Sequence, residues 1–266
     1  MTDALTRLIA GFRTFHDRYF QQNRALYERL TIEGQVPKVL VVGCSDARVD
    51  PAILTYAQPG DLFVVRNVGA IVPPHEEAGR GYHGTSSALE FGVRGLNVEH
   101  IVVLGHALCG GMRALADGPA EDSRDYEYLH DWVRIAAAAR DAVRVELRDA
   151  PAETRRRALE QAGIVVSLGN LMTFPWVRER VVAGTLALHG WYFDFTVGTL
   201  FAYDMVTGRF APVAESAHPL SPDRHADLAA ALDVGRFVRR IAAACNQTEA
   251  AEGNAVHGHA IPPRRP

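Results

Sequence analysis

Two short runs, Val39-Leu-Val-Val-Gly-Cys44 and Ile101-Val-Val-Leu-Gly-His106, are almost wholly apolar and rich in valine, with none of the polar alternation of a half-solvated strand. Runs of this kind read as parallel strands buried on both faces. A third, Asp61 to Val65, fits the same description. Thr85, Leu89, Val93 and Leu96 recur at helical spacing and lead into the strand at Ile101, with Thr85 as the expected cap. Strand, helix and strand in this order predict an α/β fold, a central and mostly parallel β-sheet flanked by helices. Ahead of it, Leu5, Leu8, Ile9, Phe12, Phe15 and Tyr19 place one apolar stripe along residues 1–30, the expected helical arm. From Tyr126 to Arg180 the chain is Ala- and Arg-rich; Trp132, Ile135, Val165, Leu168 and Leu171 supply the apolar positions of helices, interrupted at Pro151, and Pro175 opens another. Thr185 to Asp194 and Thr199 to Val213, the latter broken at Thr207-Gly208, alternate and are aromatic-rich, as an extension of strands at a sheet edge would be. A last helix is expected near Leu228 to Ala244. Residues 1–245 thus read as a single domain, and the polar Gly- and Pro-containing tail 246–266 as disordered.

Composition narrows the partners. A chain of 266 residues, 48% of them hydrophobic, can bury a large core. A net charge of -3 and a pI near 6.4 provide no basic field for nucleic acid or an anionic membrane surface. No stretch approaches the ~20 uninterrupted apolar residues of a membrane helix. Neither nucleic acid nor a membrane is expected as a partner. Three cysteines, an odd number in a chain too long to need disulfide staples, point to a reducing compartment, the cytoplasm, and to metal binding or catalysis.

Both apolar runs end in residues with chemistry. Cys44 closes the first, and His106-Ala-Leu-Cys109 follows the second. Carboxyl ends of strands are where open α/β sheets place their sites. His106 and Cys109 can bind one ion, and Cys44 joins them if the two strands are neighbours. Two thiolates and an imidazole favour Zn²⁺ among biological metals. Cys245 lies beside the expected disordered tail, so no fourth fixed ligand is in view, and the set resembles a catalytic zinc with an open position for water. Buried free cysteines and strand-end histidines are common without any metal. The balance is tipped by Cys44-Ser-Asp46-Ala-Arg48, in which a carboxylate and a guanidinium can pair beside the metal and hold an anionic acceptor near its bound water.

Cys44-Ser-Asp46-Ala-Arg48 followed by His106-Ala-Leu-Cys109-Gly-Gly resembles the core of β-class carbonic anhydrases. Gln58-Pro-Gly, Arg66-Asn-Val-Gly69, Val72-Pro-Pro, Asn170-Leu-Met-Thr-Phe-Pro175 and Leu188-His-Gly-Trp-Tyr-Phe-Asp194 are similar to further segments of that family in the same order. The resemblance implies zinc-dependent, reversible hydration of carbon dioxide to bicarbonate by a zinc-bound hydroxide. It implies one zinc per chain at Cys44, His106 and Cys109, with Asp46 and Arg48 as the catalytic dyad. Within the plant-like branch it implies a substrate pocket of Gln35, Phe63, Val68, Phe91 and Gly110. That branch commonly has tyrosine where Phe91 stands, and serine where Ala47 stands. The helical arm is implied to embrace a second copy, giving a dimer or a multiple of one.

Three other readings compete. The same chemistry would hydrolyse carbonyl sulfide or carbon disulfide. A non-catalytic zinc-binding scaffold is disfavoured by the intact Asp46 and Arg48. A covalent Cys44 nucleophile acting on an anion is disfavoured by Asp46, whose charge would repel phosphate.

Overall fold

The computed structural model describes residues 3–77, 81–118, 126–213 and 231–244. Cys245, the tail 246–266 and the expected start of the last helix at Leu228 lie outside the described residues.

The valine-rich runs form adjacent strands. β1 (Val39–Cys44), β2 (Leu62–Asn67), β3 (His100–His106) and β4 (Ala187–Asp194) pair in parallel, and β5 (Thr199–Asp204) and β6 (Arg209–Pro212) continue the sheet antiparallel. The strand order is β2-β1-β3-β4-β5-β6. From β1 the chain steps outward to β2 and then returns to the other side of β1 as β3. The carboxyl ends of β1 and β3 therefore flank a reversal of strand order, where connecting loops diverge and leave a crevice. The sequence expectation placed 185–194 in the edge extension, but β4 is an interior parallel strand beside β3. Its alternation arises because Leu188 and Tyr192 enter the main core while Trp191 and Phe193 pack on the opposite face. One face of β4 is buried in the main core and the other is half-buried against the smaller cluster, so an aromatic-rich alternating strand is tolerated inside the sheet.

On the main-core side Leu40, Val42, Ile101 and Val103 meet the long helix α8 (Ala152–Leu171) and its neighbours α5 (Gly110–Asp117) and α7 (Ala137–Glu146). On the other side Val41, Val49, Val102 and Leu104 form a smaller cluster with Trp191, Phe193 and Phe195. Short helices α3 (Pro51–Thr55), α4 (Gly84–Glu90), α6 (Leu129–Val133) and α9 (Pro175–Val182) connect the rest, and a final helix spans 234–244. Thr85, expected as a helix cap, instead lies in the first turn of α4 after His83, where its hydroxyl accepts from Asn67 Nδ2 at 3.3 Å.

The arm comprises α1 (Ala4–Thr14), capped by Asp3, a π-helical turn at Phe15–Phe20 and α2 (Arg24–Glu33). None of its residues is fully buried. It is attached near its end: Tyr19 donates to Gln58 Oε1 at 2.7 Å, and Leu30 rests against Gly60, where a Cβ would meet Leu30 Cδ2 at 2.8 Å.

Candidate metal centre

Because β1 and β3 are neighbours in register Gly43↔Leu104, Cys44 at the end of one faces His106 at the end of the other. The chain then turns through Leu108, with φ at 55°, and brings Cys109 back to the same point at the start of α5. Cys44 and Cys109 are 4% exposed and His106 is 1% exposed, and their ligand atoms all lie within 4.8 Å of one another. Among the described residues this is the one group of three such side chains close enough to share an ion.

The donors suit zinc on three grounds. Sulfurs at about 2.3 Å from one tetrahedral ion stand ~3.8 Å apart, and the Cys44 and Cys109 sulfurs are 3.9 Å apart. His106 Nδ1 lies 2.8 Å from the Ala107 carbonyl, which can only accept, so the ring proton is on Nδ1 and Nε2 offers its lone pair to the centre. Nε2 is buried without a hydrogen-bond partner, a costly state for a polar atom unless a cation fills it. Finally, the Cys109 thiol donating across the gap lowers Cys44, while the same contact, together with burial, raises Cys109. A cation between the two sulfurs would let both thiols ionise.

Surrounding groups shape the centre. Gly69 N–H points at Cys44 Sγ at 3.4 Å from a turn made by Asn67, whose amide accepts from Ile71 N–H and donates to Ile71 O. Helix α5 crosses this turn so closely that a Cβ on Gly111 would sit 2.9 Å from Val68 Cγ1 and 3.1 Å from the Gly69 backbone. Arg66 grips the loop after β1, donating to the carbonyls of Cys44, Asp46 and Val49 and to Asp50. Glu160 of α8 is buried behind Cys109, accepting its N–H at 3.3 Å and the Tyr192 hydroxyl at 2.7 Å, and burial raises its carboxyl.

Asp46 and Arg48 stand at the rim. Arg48 Nε and Nη2 donate to the two carboxylate oxygens at 2.9 and 2.7 Å, and the Arg48 N–H adds a third bond at 2.9 Å. These donors hold the Asp46 carboxyl far below the usual carboxylate range. Asp46 Oδ2 is 3.9 Å from His106 Nε2, at the edge of the space between the ligands. Arg48 Nη2 also donates to Leu108 O at 3.0 Å, tying the dyad to the loop that carries Cys109.

The expected pocket residues are spread more widely. Val68 lies beside Gly69, with its carbonyl accepting from the Trp132 indole at 2.7 Å, and Gly110 is exposed at the first turn of α5. Phe63 and Phe91 form a ring pair with centroids 5.7 Å apart, and Phe91 is half exposed. Gln35 is exposed in the segment before β1. Arg66, Trp132, Glu160 and Phe195 have no site role among the expectations from sequence. Arg66 belongs to the Arg66-Asn-Val-Gly69 motif and Trp132 reads only as an apolar helix position, while Glu160 and Phe195 match no local pattern.

A family model described as carbonic anhydrase matches residues 39–200. The chain is 36% identical over 206 residues to beta carbonic anhydrase 3 of Arabidopsis thaliana, covering 76% of this chain and 78% of that one. It is 34% identical over 219 residues to a carbonic anhydrase of Synechocystis sp., covering 82% and 78%. Its fold is similar to that of the β-carbonic anhydrase CcaA, with a TM-score of 0.73 at 35% identity over 78% of this chain and 91% of the other. It is also similar to a tetrameric β-carbonic anhydrase of Sordaria macrospora, with a TM-score of 0.65 at 27% identity over 74% and 95%.

Proposed function

The chain belongs to the β-class carbonic anhydrases, enzymes of the reversible hydration of carbon dioxide to bicarbonate, and from that membership we propose how its own residues divide the work. Cys44, His106 and Cys109 hold one zinc ion per chain. The observation that carries this is the convergence of two buried thiols and an unpartnered imidazole nitrogen at the reversal of strand order. Zinc at that place supplies the Lewis acidity that makes water nucleophilic near neutral pH. Asp46 is the acceptor beside it. Its oxygens already receive from Arg48, so the carboxylate stays ionised and takes a hydrogen bond from the reacting oxygen, turning that oxygen's lone pair toward carbon. Arg48 orients this carboxylate and gives up no proton.

Carbon dioxide is apolar and uncharged, so an apolar wall with few donors is enough to seat it. Val68 and the Phe63–Phe91 ring pair provide that wall, Gly110 leaves the α5 terminus open beside it, and Gln35 provides a donor. The apolar stripe of the arm and the tetrameric relative support assembly as a dimer or a multiple of one. No described helix is long and apolar enough to cross a membrane. The cytoplasm, expected from the low and odd cysteine count, is the location we assign.

Stopped-flow hydration kinetics on zinc-quantified protein test the assignment. One zinc per chain and hydration activity are expected, and both should be lost in Cys44→Ala, His106→Ala or Cys109→Ala. Full zinc in Cys44→Ala would overturn the ligand set, and full activity in metal-free protein would overturn the role of zinc.

A further inference from the structure

Phe195 follows β4 directly, and we propose that its ring is a positioning element of the site, holding the Arg48 guanidinium in the plane from which it presents Asp46. The guanidinium has three in-plane tethers, two to the Asp46 carboxylate and one to Leu108 O. In-plane bonds leave its two faces open. The Arg48 side chain is 50% exposed, and holding its long, flexible stem in one geometry costs rotamer entropy. Phe195 closes one face, with Arg48 Cζ 4.5 Å from the ring centroid. A guanidinium over an aromatic face is attracted by the negative potential of the ring, more strongly as water is excluded.

The same ring lies beside the metal ligand. Its centroid is 6.0 Å from that of the His106 imidazole, at an interplanar angle of 29°. One side chain therefore touches both the dyad and the ligand set. Its own position is built in from behind. Ala107 N–H donates to Phe193 O at 2.9 Å, locking the end of β4 to the residue after His106. Asp194, 1% exposed, accepts from Thr196 N–H at 3.0 Å and pairs with Arg157, fixing the turn that carries Phe195. The Phe193 ring meets Phe195 edge-on at 6.5 Å.

This inference rests on the reading of Asp46 and Arg48 as the catalytic dyad, and its test separates the two. Phenylalanine carrying one, two or three ring fluorines is placed at position 195, which drains the face of the ring of negative potential at nearly constant size; Phe195→Trp and Phe195→Leu complete the series. Zinc content, kcat/KM for hydration and the Arg48 Nε–H resonance of arginine-labelled protein are measured for each. Zinc content should stay at the wild-type level. Hydration kcat/KM should fall stepwise with fluorination, to roughly tenfold below wild type in the trifluoro protein and in Phe195→Leu, with Phe195→Trp near wild type. The Arg48 resonance should lose its ring-current shift in Phe195→Leu alone. A kcat/KM that ignores fluorination, or an Arg48 resonance unmoved by Phe195→Leu, overturns the proposal. A failure of the dyad reading is recognised separately, by wild-type rates in Asp46→Asn while the Arg48 resonance still answers to Phe195.

Discussion

Each oxygen of Asp46 receives a hydrogen bond from the guanidinium of Arg48, so an amide at this position would turn an NH₂ group against a donor. Asp46→Asn should therefore keep its zinc and lose about 10²-fold or more in kcat, within the range of a removed acid–base or orienting group. Elemental analysis with stopped-flow kinetics checks this, and unchanged rates would make Asp46 a structural partner of Arg48 only. At this scale the centre was readable where chemistry is intrinsic to a residue type. Cys44, His106 and Cys109 stand at strand ends within short sequence windows, and the structure brings them together. Glu160, Trp132 and Phe195 were not readable. A buried glutamate in a helix, an indole donating to a loop carbonyl and a phenylalanine over an arginine become site features only through contacts spanning 51, 64 and well over a hundred positions.

Packing between elements sets the shape of the centre, and neighbouring glycines of α5 expose it. A Cβ on Gly110 would meet nothing within 4 Å, whereas one on Gly111 would press into Val68 and the Gly69 backbone. Gly111→Ala should cost about 1–3 kcal/mol, the range of overpacking, and Gly110→Ala much less. Chemical denaturation of the two proteins measures the difference; equal stabilities would show that the 67–71 turn yields freely. β3 and β4 carry a second element-scale feature, His100 and His189, whose nitrogens are 3.1 Å apart. Burial, helped by charge on His100, lowers His189 from its ordinary 6.5 to about 4. The unfolded chain thus takes up a proton below about pH 6.5 that the folded one refuses. This contribution to stability is complete above that pH and fades as pH falls toward 4. Between pH 6.5 and 5 it amounts to at most about 2 kcal/mol, and His189→Gln should flatten the pH dependence of unfolding by that much. Parallel slopes for the two proteins would show that His189 titrates normally. Nothing in the sequence paired these histidines. The parallel strands were readable from valine content, but the placing of β4 beside β3 was not, because a long helical excursion separates the two in sequence.

For the molecule as a whole, the legible part was the α/β sheet and the apolar stripe of the arm; the packing of that stripe was not, since periodicity says only that a surface must be covered. Within this chain it is not covered. Leu5, Leu8 and Phe12 are 60%, 72% and 65% exposed, although each is large and apolar. The arm's own ring contacts centre on Phe15, Phe20 and Tyr27, and its attachments to the rest of the chain lie further along, at Tyr19–Gln58 and Leu30–Gly60. A contiguous apolar face of this kind marks an interface. The second face of the sheet has only a small cluster, with Trp191 and Phe193 half-buried, so the chain also has apolar surface for a second copy to cover. The arm should therefore be an assembly element, and charge introduced on its stripe is a cleaner probe than its removal. Leu8→Glu with Phe12→Glu keeps the helix, because both positions are exposed within the chain, while placing two carboxylates in any interface. Wild-type protein should run as a dimer or a multiple of one in light scattering, and the double variant should dissociate at micromolar concentration with unchanged helical circular dichroism. Removal of residues 1–30 should cause aggregation or the same loss of assembly. A double variant that keeps the wild-type mass, or a truncated protein that stays a soluble and fully active monomer, would show that the arm contributes nothing to assembly.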